Sequence, residues 1–270
     1  MLIEQYNYIQ AKLKTFDDVE KLSEELKIPY ITIYSIYVQN IVRHVKKTIP
    51  YLKTISHKLV KMWKSGEEFT DIGRKYSCPP VLIVRIILMH LGLTRRKLLK
   101  YLENPDSIED PRLRIEIKHA VEEDHLFSPK THKEQSAKGE LHENLIQKWL
   151  NQFEIEFMTE EELRNTESFK NGQTKKTPDF LLKEPFYFKN KEIFWVESKA
   201  RFGDEFELRT VIRSQIVPYT KMFGAGITIF WYDYLENSQL VDGYFIFNRN
   251  FVSDYSIIEI DDRKMLVGKG

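Results

Sequence analysis

Residues 177–182 read Thr-Pro-Asp-Phe-Leu-Leu, and residues 193–199 read Ile-Phe-Trp-Val-Glu-Ser-Lys. The two apolar runs flank a polar break, and this pattern predicts two neighbouring strands. Asp179 opens the first run, whereas Glu197 and Lys199 close the second. Because alternate residues of a strand share a face, we expect the side chains of Glu197 and Lys199 to point the same way.

An antiparallel turn between the two runs would bring the start of the first strand beside the end of the second. Asp179 and Glu197 would then meet Lys199 at one edge of a sheet, with the side chain of Ser198 on the opposite face. Two carboxylates suit a hard cation, and a nearby ammonium suits the steering or deprotonation of water. The stretch therefore predicts a metal site at a sheet edge.

Length, charge and cysteine content narrow the possible function classes. A chain of 270 residues suffices for one large domain or two modest ones. Lys and Arg total 41 against 40 Asp and Glu, so any nucleic-acid surface must come from local clustering of charge. The single cysteine, Cys78, excludes an intramolecular disulfide and a multi-cysteine zinc site. Without a signal peptide or a membrane-spanning run, we expect an intracellular protein, nuclear or cytoplasmic, with no membrane contact.

The first 130 residues are predicted to form a helical domain that contains two similar segments. Residues 19–36 and 69–86 lie fifty positions apart, and each combines an amphipathic helix, a polar break before proline and a strongly apolar second helix. Proline suits the first turn of that second helix because its missing N–H has no intrahelical partner there. The layout is that of a helix-turn-helix.

Basic residues around the second segment are candidate nucleic-acid contacts. Arg85 lies in its second helix, and Arg95, Arg96 and Lys97 follow it. We predict that these side chains contact phosphates rather than bases. The alternative is that both segments serve only as a helical scaffold, with the basic run a solvated helix end favoured by the helix dipole.

A break at residues 127–130 is the predicted domain boundary, which leaves residues 131–270 as a second domain. A helix from residue 137 is expected to bury the stripe of Leu141, Leu145 and Trp149, with Ile146 and Leu150 beside it and Glu143 near the margin of that stripe. Further predicted elements are strands at 153–158, 227–232, 244–247 and 257–260, the last at a sheet edge, and a polar loop at 167–176. A helix at 204–223 is expected to carry Gln215 and Tyr219 on one face and to kink or end near Pro218. This order indicates an α/β layout with a mixed sheet.

In order and context, these motifs resemble the PD-(D/E)XK nuclease superfamily, whose core is an αβββαβ unit. At a finer level the chain is similar to the codanin-interacting nuclease family. The runs that carry this resemblance are 176–180, 195–200, 202–204, Gln215 with Tyr219, 223–224 and 231–232. The resemblance is strongest over residues 139–232. It implies helix-turn-helix repeats followed by a restriction-endonuclease-like mixed-sheet domain.

The resemblance also implies a metal site of defined composition. Asp179 and Glu197 would bind Mg²⁺ or Mn²⁺, and the backbone carbonyl of Ser198 would supply a further oxygen. Glu143 would join the metal directly or through water, with Glu140 the rival carboxylate on the same helix. Hard cations prefer such oxygen ligands.

Two more residues receive catalytic roles from the resemblance. Lys199 would orient and polarise the attacking water or stabilise charge on the scissile phosphate. Gln215 would position Lys199 or the phosphate. Tyr219 on the same helix is expected to pack rather than to take part in the chemistry.

Three functional hypotheses follow. The first is a metal-dependent nuclease that hydrolyses phosphodiester bonds of DNA, including branched or otherwise structured DNA. The second is a nuclease-fold scaffold of weak catalytic power that binds a codanin-like partner in chromatin or histone handling. The third is a DNA-binding regulator led by the helix-turn-helix segments, with the C-terminal domain as effector. Nuclear residence is implied only by the family resemblance.

Overall fold

The structure is a computed structural model that describes residues 1–172, 176–236, 243–260 and 263–269. Its helices are α1 (Ile3–Lys12), α2 (Asp17–Leu26), α3 (Tyr30–Thr54), α4 (Ser56–Lys64), α5 (Phe69–Lys75), α6 (Pro80–His90), α7 (Arg95–Glu103), α8 (Pro111–Glu123), α9 (Pro129–Gln152), α10 (Glu160–Asn165), α11 (Glu167–Lys170), α12 (Glu205–Val211), α13 (Val217–Phe223) and α14 (Phe251–Asp254). A 3-10 turn (Pro105–Ser107) follows α7, and a π-helical turn (Ile212–Ile216) joins α12 to α13. Among the described residues, none of these helices has the length and apolar character needed to cross a bilayer.

The second half of the chain builds a mixed sheet. Its strands are β1 (Phe157–Thr159), β2 (Phe180–Phe188), β3 (Lys191–Lys199), β4 (Ala225–Phe230), β5 (Tyr244–Asn248), β6 (Tyr255–Ile260) and β7 (Arg263–Gly268). They lie in the order β5-β4-β3-β2-β7-β6, and β1 pairs with β2 off this path. β3, β4 and β5 run parallel, whereas β2–β3 and β6–β7 are antiparallel hairpins. The predicted class, a helical N-terminal region followed by a mixed sheet, is confirmed.

The β2–β3 hairpin turns at Lys189 and Asn190. Both residues have positive φ, 47° and 60°, as a two-residue type I′ turn requires. Such a turn matches the right-handed twist of the flanking strands. The turn places Phe188 opposite Lys191, and an irregularity between Leu181 and Phe186 then shifts the register so that Phe180 lies opposite Val196. The start of β2 therefore lies beside the end of β3.

The chain divides into two compact units. The sheet unit comprises residues 1–37 and 138–270, and the helical unit comprises residues 38–137. This division differs from the predicted boundary at 130 because the first helices pack with the sheet. Ile9, Val19 and Ile33 are fully buried in the same apolar cluster as Trp149 and Phe186. Amphipathic helices show which face they bury but not which surface covers it.

Both helix-turn-helix segments are present in the structure. The first consists of α2 and the start of α3, and the second of α5 and α6. Lys27 and Ser77, fifty positions apart, hold equivalent left-handed conformations with φ of 54° and 48°. Each precedes its proline, Pro29 or Pro79, by two positions. The first segment belongs to the sheet unit, and the second belongs to the helical unit.

The helical unit has its own apolar core. Two buried acidic residues in this unit accept hydrogen bonds, one from an indole and the other from the start of a helix. Glu116 of α8 accepts hydrogen bonds from Trp63 Nε1 at 2.8 Å and Arg112 Nε at 2.6 Å. Asp124 accepts one from the backbone N–H of Val81, at 3.2 Å, in the first turn of α6. Buried carboxylates are tolerated when hydrogen-bonded in this way.

The predicted buried face of α9 is confirmed for Ile146, Trp149 and Leu150 and was wrong for Leu141 and Leu145. Leu141 and Leu145 are 57% and 37% exposed, whereas Ile146, Trp149 and Leu150 are buried. Both stripes fit a helical period, and the packing that selects between them depends on the surface that α9 meets. The sequence pattern alone therefore did not decide which of the two neighbouring faces of α9 is buried.

Two strands also differ from prediction. The strand expected at 153–158 is reduced to β1, because Glu154 takes a positive φ of 53° in the turn after α9. β7 was not predicted, although its hairpin partner β6 was predicted as an edge strand and ends the sheet. Part of the predicted loop at 167–176 forms α11, and residues 173–175 lie outside the described residues.

Gly226 sets the close approach of β4 to β3. A Cβ added at this position would lie 2.0 Å from the indole of Trp195, so no larger residue fits without movement of the backbone. The indole is also fixed by a 2.9 Å hydrogen bond from its Nε1 to the carbonyl of Gly224. These two contacts therefore fix the Trp195 side chain of β3 against β4.

Candidate active site

The β2–β3 hairpin places Asp179 directly beside Glu197. The backbone N–H of Asp179 donates to Glu197 Oε2 at 3.1 Å, and the backbone N–H of Ser198 donates to Asp179 Oδ2 at 2.7 Å. Each carboxylate therefore accepts a hydrogen bond from the other strand. These crossed bonds hold the two acidic groups side by side, as the predicted turn requires.

Lys199 and Gln215 both contact one oxygen of Glu197. Lys199 Nζ forms an ion pair and hydrogen bond with Glu197 Oε1. Gln215 Nε2 donates to the same oxygen at 3.0 Å. On the other face of β3, the Ser198 hydroxyl accepts a hydrogen bond from Trp231 Nε1 at 2.9 Å. The predicted alternation of these side chains is confirmed.

The helix that carries Gln215 is irregular around Pro218, as predicted. Proline has no N–H to donate to the carbonyl four residues earlier, which is that of Ser214. Lys176 Nζ hydrogen-bonds this carbonyl instead. Gln215 lies within the π-helical turn Ile212–Ile216 just before the proline. Turns of this kind are frequent at functional sites.

Tyr219 supports the loop that leads into Asp179. It is 2% exposed, and its hydroxyl donates to the carbonyl of Thr177 at 2.7 Å. Gln215 Nε2 donates to the same hydroxyl at a longer 3.4 Å, which places Gln215 and Tyr219 on one face of their helix, as predicted. The ring of Tyr219 packs edge-on against Trp195, with 5.4 Å between the ring centroids. Tyr219 therefore packs and positions.

Burial and mutual repulsion shift the carboxyl groups of the site toward their neutral forms. Burial, and secondly the negative charge of Asp179, raises the pKa of Glu197 to about 8. Burial also raises the pKa of Asp179, although the ammonium of Lys199 opposes this shift. Both acidic groups interact with the ammonium of Lys199. A further positive charge at this position would favour the ionised form of both.

Glu143 extends the acidic surroundings from α9. Glu143 is exposed overall, but the surroundings of its carboxyl group remove part of its contact with water. This partial burial and the negative charges of Asp179 and Glu160 raise the pKa of Glu143, whereas the positive charge of Lys199 lowers it. Glu140, one turn earlier, is exposed as well. The electrostatic interaction with Asp179 and Lys199 favours Glu143 as the helix carboxylate of the site, and this assignment stays a prediction.

Glu160 is an acidic neighbour of the site that the sequence did not single out. Its backbone N–H donates to the carbonyl of Asp179 at 3.1 Å, and its Oε1 accepts from Thr177 Oγ1 at 3.2 Å and Arg164 Nη2 at 2.6 Å. A capping box between Thr159 and the third residue of α10 marks this helix start in the sequence. The pairing of β1 with β2, which brings Glu160 beside Asp179, leaves no comparable local signal.

The basic residues of the helical unit have different surroundings. Arg85 is partly buried, with Nη2 3.4 Å from the carbonyl of Phe127, and burial lowers its pKa. Arg95, Arg96 and Lys97 are exposed in the first turn of α7. The run is a solvated helix end, but the dipole does not favour it there, because the dipole disfavours cations at a helix N-terminus. The scaffold alternative stays a prediction.

Within the described residues, no group of three or more His, Cys, Asp or Glu side chains is placed to hold a metal ion by itself. The chain offers two adjacent carboxylates, and the hydrogen bond of Asp179 with Ser198 uses its Oδ2 rather than its Oδ1. This donor set differs from a closed structural site. It fits an ion such as Mg²⁺, which is commonly held by one or two carboxylates and completes its shell with water and substrate phosphate.

Sequence comparison identifies the family of the chain. A family described as "Protein of unknown function TPD sequence-motif" matches residues 109–250, which is more than half of the chain. The chain belongs to this family. The matched range includes Asp179, Glu197, Lys199, Glu143 and the Thr-Pro-Asp run.

Curated relatives of this TPD-motif protein are named CDAN1-interacting nuclease 1. The Xenopus laevis protein is 27% identical over 86% of this chain and 82% of its own length. The Homo sapiens protein is 26% identical over 76% of each, and the Xenopus tropicalis protein is 31% identical over 62% of this chain and 55% of its own. Membership of the codanin-interacting nuclease family is thereby confirmed, and a nuclease fold is supported at family level. No solved structure matches the chain.

Proposed function

We propose that this TPD-motif protein is a metal-dependent nuclease that hydrolyses phosphodiester bonds of DNA at a PD-(D/E)XK-type site. The observation that carries the proposal is the pairing of Asp179 with Glu197 by crossed hydrogen bonds, with Lys199 on the second carboxylate. The names of the relatives support the nuclease class. The structure of the pair supports the choice of a hard cation as cofactor.

The charge balance of the site is consistent with Mg²⁺ or Mn²⁺. Asp179 and Glu197 would hold the ion, Glu143 would reach it directly or through water, and the Ser198 carbonyl would be a further ligand. When bound, the ion supplies positive charge beside the attacked phosphate and lowers the pKa of a water nucleophile. Two carboxylates with raised pKa values are the groups whose ionisation such a charge favours.

The side chains around the pair preorganise the site for charge that develops on phosphate. Lys199 projects on the same face as Glu197, where its ammonium can orient water or stabilise a phosphate oxygen. Gln215 donates to the oxygen that Lys199 contacts, and it thereby fixes the rotamer of Glu197. Donors that are fixed before the substrate arrives cost no reorganisation during the reaction.

The helical unit offers a phosphate-binding surface that suits DNA. Arg95, Arg96 and Lys97 place three exposed positive charges on the first turn of α7, where the positive end of the helix dipole also favours anions. Such contacts position a duplex without reading its sequence. Arg85 is a weaker candidate because its guanidinium is partly buried against the carbonyl of Phe127.

Cleavage assays with matched variants test the proposal. Purified protein is incubated with plasmid, single-stranded and branched DNA in Mg²⁺, Mn²⁺ or EDTA. We expect cleavage that needs the divalent ion and falls at least about 10²-fold in Asp179→Asn, Glu197→Gln and Lys199→Ala. Glu192→Gln is the matched control, because it makes the same change at an exposed position of the same strand. Equal cleavage by wild type and Glu197→Gln would contradict the catalytic assignment.

A second candidate function is the binding of a codanin-like protein partner. It is favoured by the name of the relatives, which describes them as CDAN1-interacting. Binding is measured with a purified codanin-like protein and wild type or Glu197→Gln. Equal binding by both, without cleavage by wild type, would favour a scaffold. Cleavage together with equal binding would show a dual role, and no binding would remove this candidate.

A further inference from the structure

One residue on the opposite face of β3 contacts both residues that follow Glu197. The backbone N–H of Trp231 donates to the carbonyl of Lys199 at 3.0 Å. Its indole Nε1 donates to the Ser198 hydroxyl at 2.9 Å. Ser198 in turn donates its backbone N–H to Asp179 Oδ2 at 2.7 Å. Trp231 thus fixes the main chain that carries the lysine and aligns one carboxylate of the pair.

The ring of Trp231 also contacts the helix that carries Glu143. The ring of His142 stacks on the indole of Trp231, with 4.6 Å between centroids and 19° between planes. Tyr232 packs edge-on against the same imidazole at 5.6 Å. His142 directly precedes Glu143 on α9. Trp231 is therefore the common neighbour of the strand end and of the helix that bear the proposed acidic and basic groups.

The contact is built into the sheet unit rather than lying on its surface. Trp231 is 5% exposed and Ser198 is 9% exposed, so the hydrogen bond between them is shielded from water. A buried donor that loses its partner is costly, which keeps both groups in place. Displacement of a catalytic group by about 1 Å can reduce the rate of an enzyme about 10²-fold. Small movements of this contact should therefore be visible in catalysis.

We propose that Trp231 and His142 form a positioning pair for the nuclease reaction. The indole sets the main chain at Ser198 and Lys199, and the imidazole–indole stack sets α9 at Glu143. The proposal rests on the proposed function. Neither residue is assigned contact with substrate or metal, so both are positioning residues rather than catalytic ones.

A double-mutant cycle separates this role from plain packing. Trp231→Phe keeps a ring but removes the indole donor, and Ser198→Ala removes the acceptor. We expect each to lower kcat about 10-fold to 100-fold with KM for DNA within about twofold, since the loss is one of geometry. The double variant should be no worse than either single variant, because both remove one hydrogen bond. Additive losses, or a wild-type kcat in Trp231→Phe, would overturn the proposal.

The stack is tested with ring-conserving and ring-deleting changes at His142. His142→Phe should retain most of kcat because a flat ring still covers the indole, whereas His142→Ala should lower it. Tyr232→Phe is the matched control, since it removes a hydroxyl from the same aromatic cluster and leaves Trp231 with its contacts. Equal kcat for His142→Phe and His142→Ala would overturn the role of the stack.

A second readout keeps the inference separate from the proposed function. Mn²⁺ affinity is measured by calorimetry without DNA, and we expect Trp231→Phe and Ser198→Ala to weaken it about 10-fold through the altered position of Asp179. If wild type binds Mn²⁺ and does not cleave, the nuclease proposal fails while weakened binding in the variants still supports positioning of the pair. Unchanged affinity in both variants, or no Mn²⁺ binding by wild type, overturns the positioning proposal.

Discussion

The two helix-turn-helix segments share a sequence pattern but serve different parts of the molecule. Each has a left-handed residue two positions before a proline, Lys27 in the first segment and Ser77 in the second. The first segment packs into the apolar core of the sheet unit, and the second forms the centre of the helical unit. The repeat therefore specifies local structure, whereas the surface that covers each copy decides its role.

Equivalent positions make the contrast concrete. Ser35 of the first segment accepts a 2.8 Å hydrogen bond from the backbone N–H of Phe202, three residues after Lys199. Fifty positions later, Arg85 instead donates to the carbonyl of Phe127 within the helical unit. The first segment thus supports the chain that leaves the candidate active site. Arg85 of the second segment contacts a carbonyl of the helical unit.

The N-terminal helix strengthens this support. The ring of Tyr6 stacks on Phe202, 5.7 Å between centroids, and its hydroxyl donates to Asp204 at 3.0 Å. Asp204 is the N-cap of α12 and accepts the backbone N–H of Glu207 at 2.9 Å. The connection between Lys199 and the helix of Gln215 is therefore anchored on the first 37 residues.

The largest expected effect comes from a matched pair of core truncations. Ile33→Ala and Ile83→Ala remove equivalent, fully buried side chains of the two segments. Each should lower the free energy of unfolding by about 2–5 kcal/mol. Hydrogen exchange resolved by peptide should show increased exchange in the sheet unit for Ile33→Ala and in the helical unit for Ile83→Ala.

Activity extends this comparison. Ile33→Ala should lower the temperature at which the protein loses cleavage activity, while Ile83→Ala should leave kcat unchanged well below its own unfolding temperature. Increased exchange in the same peptides for both variants would contradict the division into two differently used segments.

The second-largest effect on stability is expected when the polar side chain is removed at the equivalent positions Ser35 and Arg85. Ser35→Ala should cost about 1–3 kcal/mol, because it removes the acceptor of a buried hydrogen bond from the N–H of Phe202. Arg85→Ala should cost less, since the guanidinium is only partly buried and its contact is long at 3.4 Å. Denaturant titration of both variants checks the order. A larger loss for Arg85→Ala would contradict the contrast between the segments.

The pH dependence of stability should arise in the sheet unit. The pKa of Glu197 is raised from 4.5 to about 8 in the folded protein, so its stabilising contribution is full below about pH 4.5. It is lost as pH rises through about 8, because the unfolded chain has already released the proton. In EDTA, Glu197→Gln should therefore gain Tm relative to wild type between pH 5 and pH 9. A constant difference across this range would contradict the shift.

The smallest effect on stability is expected from charge reversal on α7. Replacement of Arg95, Arg96 and Lys97 by Glu should slightly stabilise the helix, by about 0.3–1 kcal/mol per charge at most, because acidic residues suit its N-terminus. DNA affinity should fall, and the slope of log K against log salt should flatten by about 0.9 for each phosphate that is no longer neutralised. An unchanged slope would contradict phosphate binding by these three residues and would favour the alternative that the helical segments are only a scaffold.

The sequence was sufficient for the hairpin and its charges. Period-two alternation and a short polar break predicted that Asp179 and Glu197 would meet and that Ser198 would face away. The spacing of Gln215 and Tyr219 predicted their common helix face. The alternation and the helix spacing are local, because each depends on residues a few positions apart. The register that brings Asp179 beside Glu197 also depends on an irregularity between Leu181 and Phe186, which the sequence pattern did not show.

Long-range packing accounts for what the sequence did not show. The exposure of Leu141 and Leu145 on α9, the place of residues 1–37 in the sheet unit and the position of Glu160 beside Asp179 all depend on which surfaces meet. Amphipathic patterns tell that a face is buried and leave its partner open. The contacts of Trp231 belong to the same class, since they join three elements distant in sequence.

The most direct test of the metal-dependent site is a crystal of the wild-type protein soaked in Mn²⁺ at a concentration that supports cleavage. An anomalous difference peak should lie between Asp179 Oδ1 and the Glu197 carboxylate, within about 2.0–2.4 Å of both, as hard oxygen ligation requires. The same soak of Glu197→Gln should lose the peak, whereas Glu192→Gln should keep it. A peak elsewhere, or none between these two carboxylates, would contradict the proposed active site.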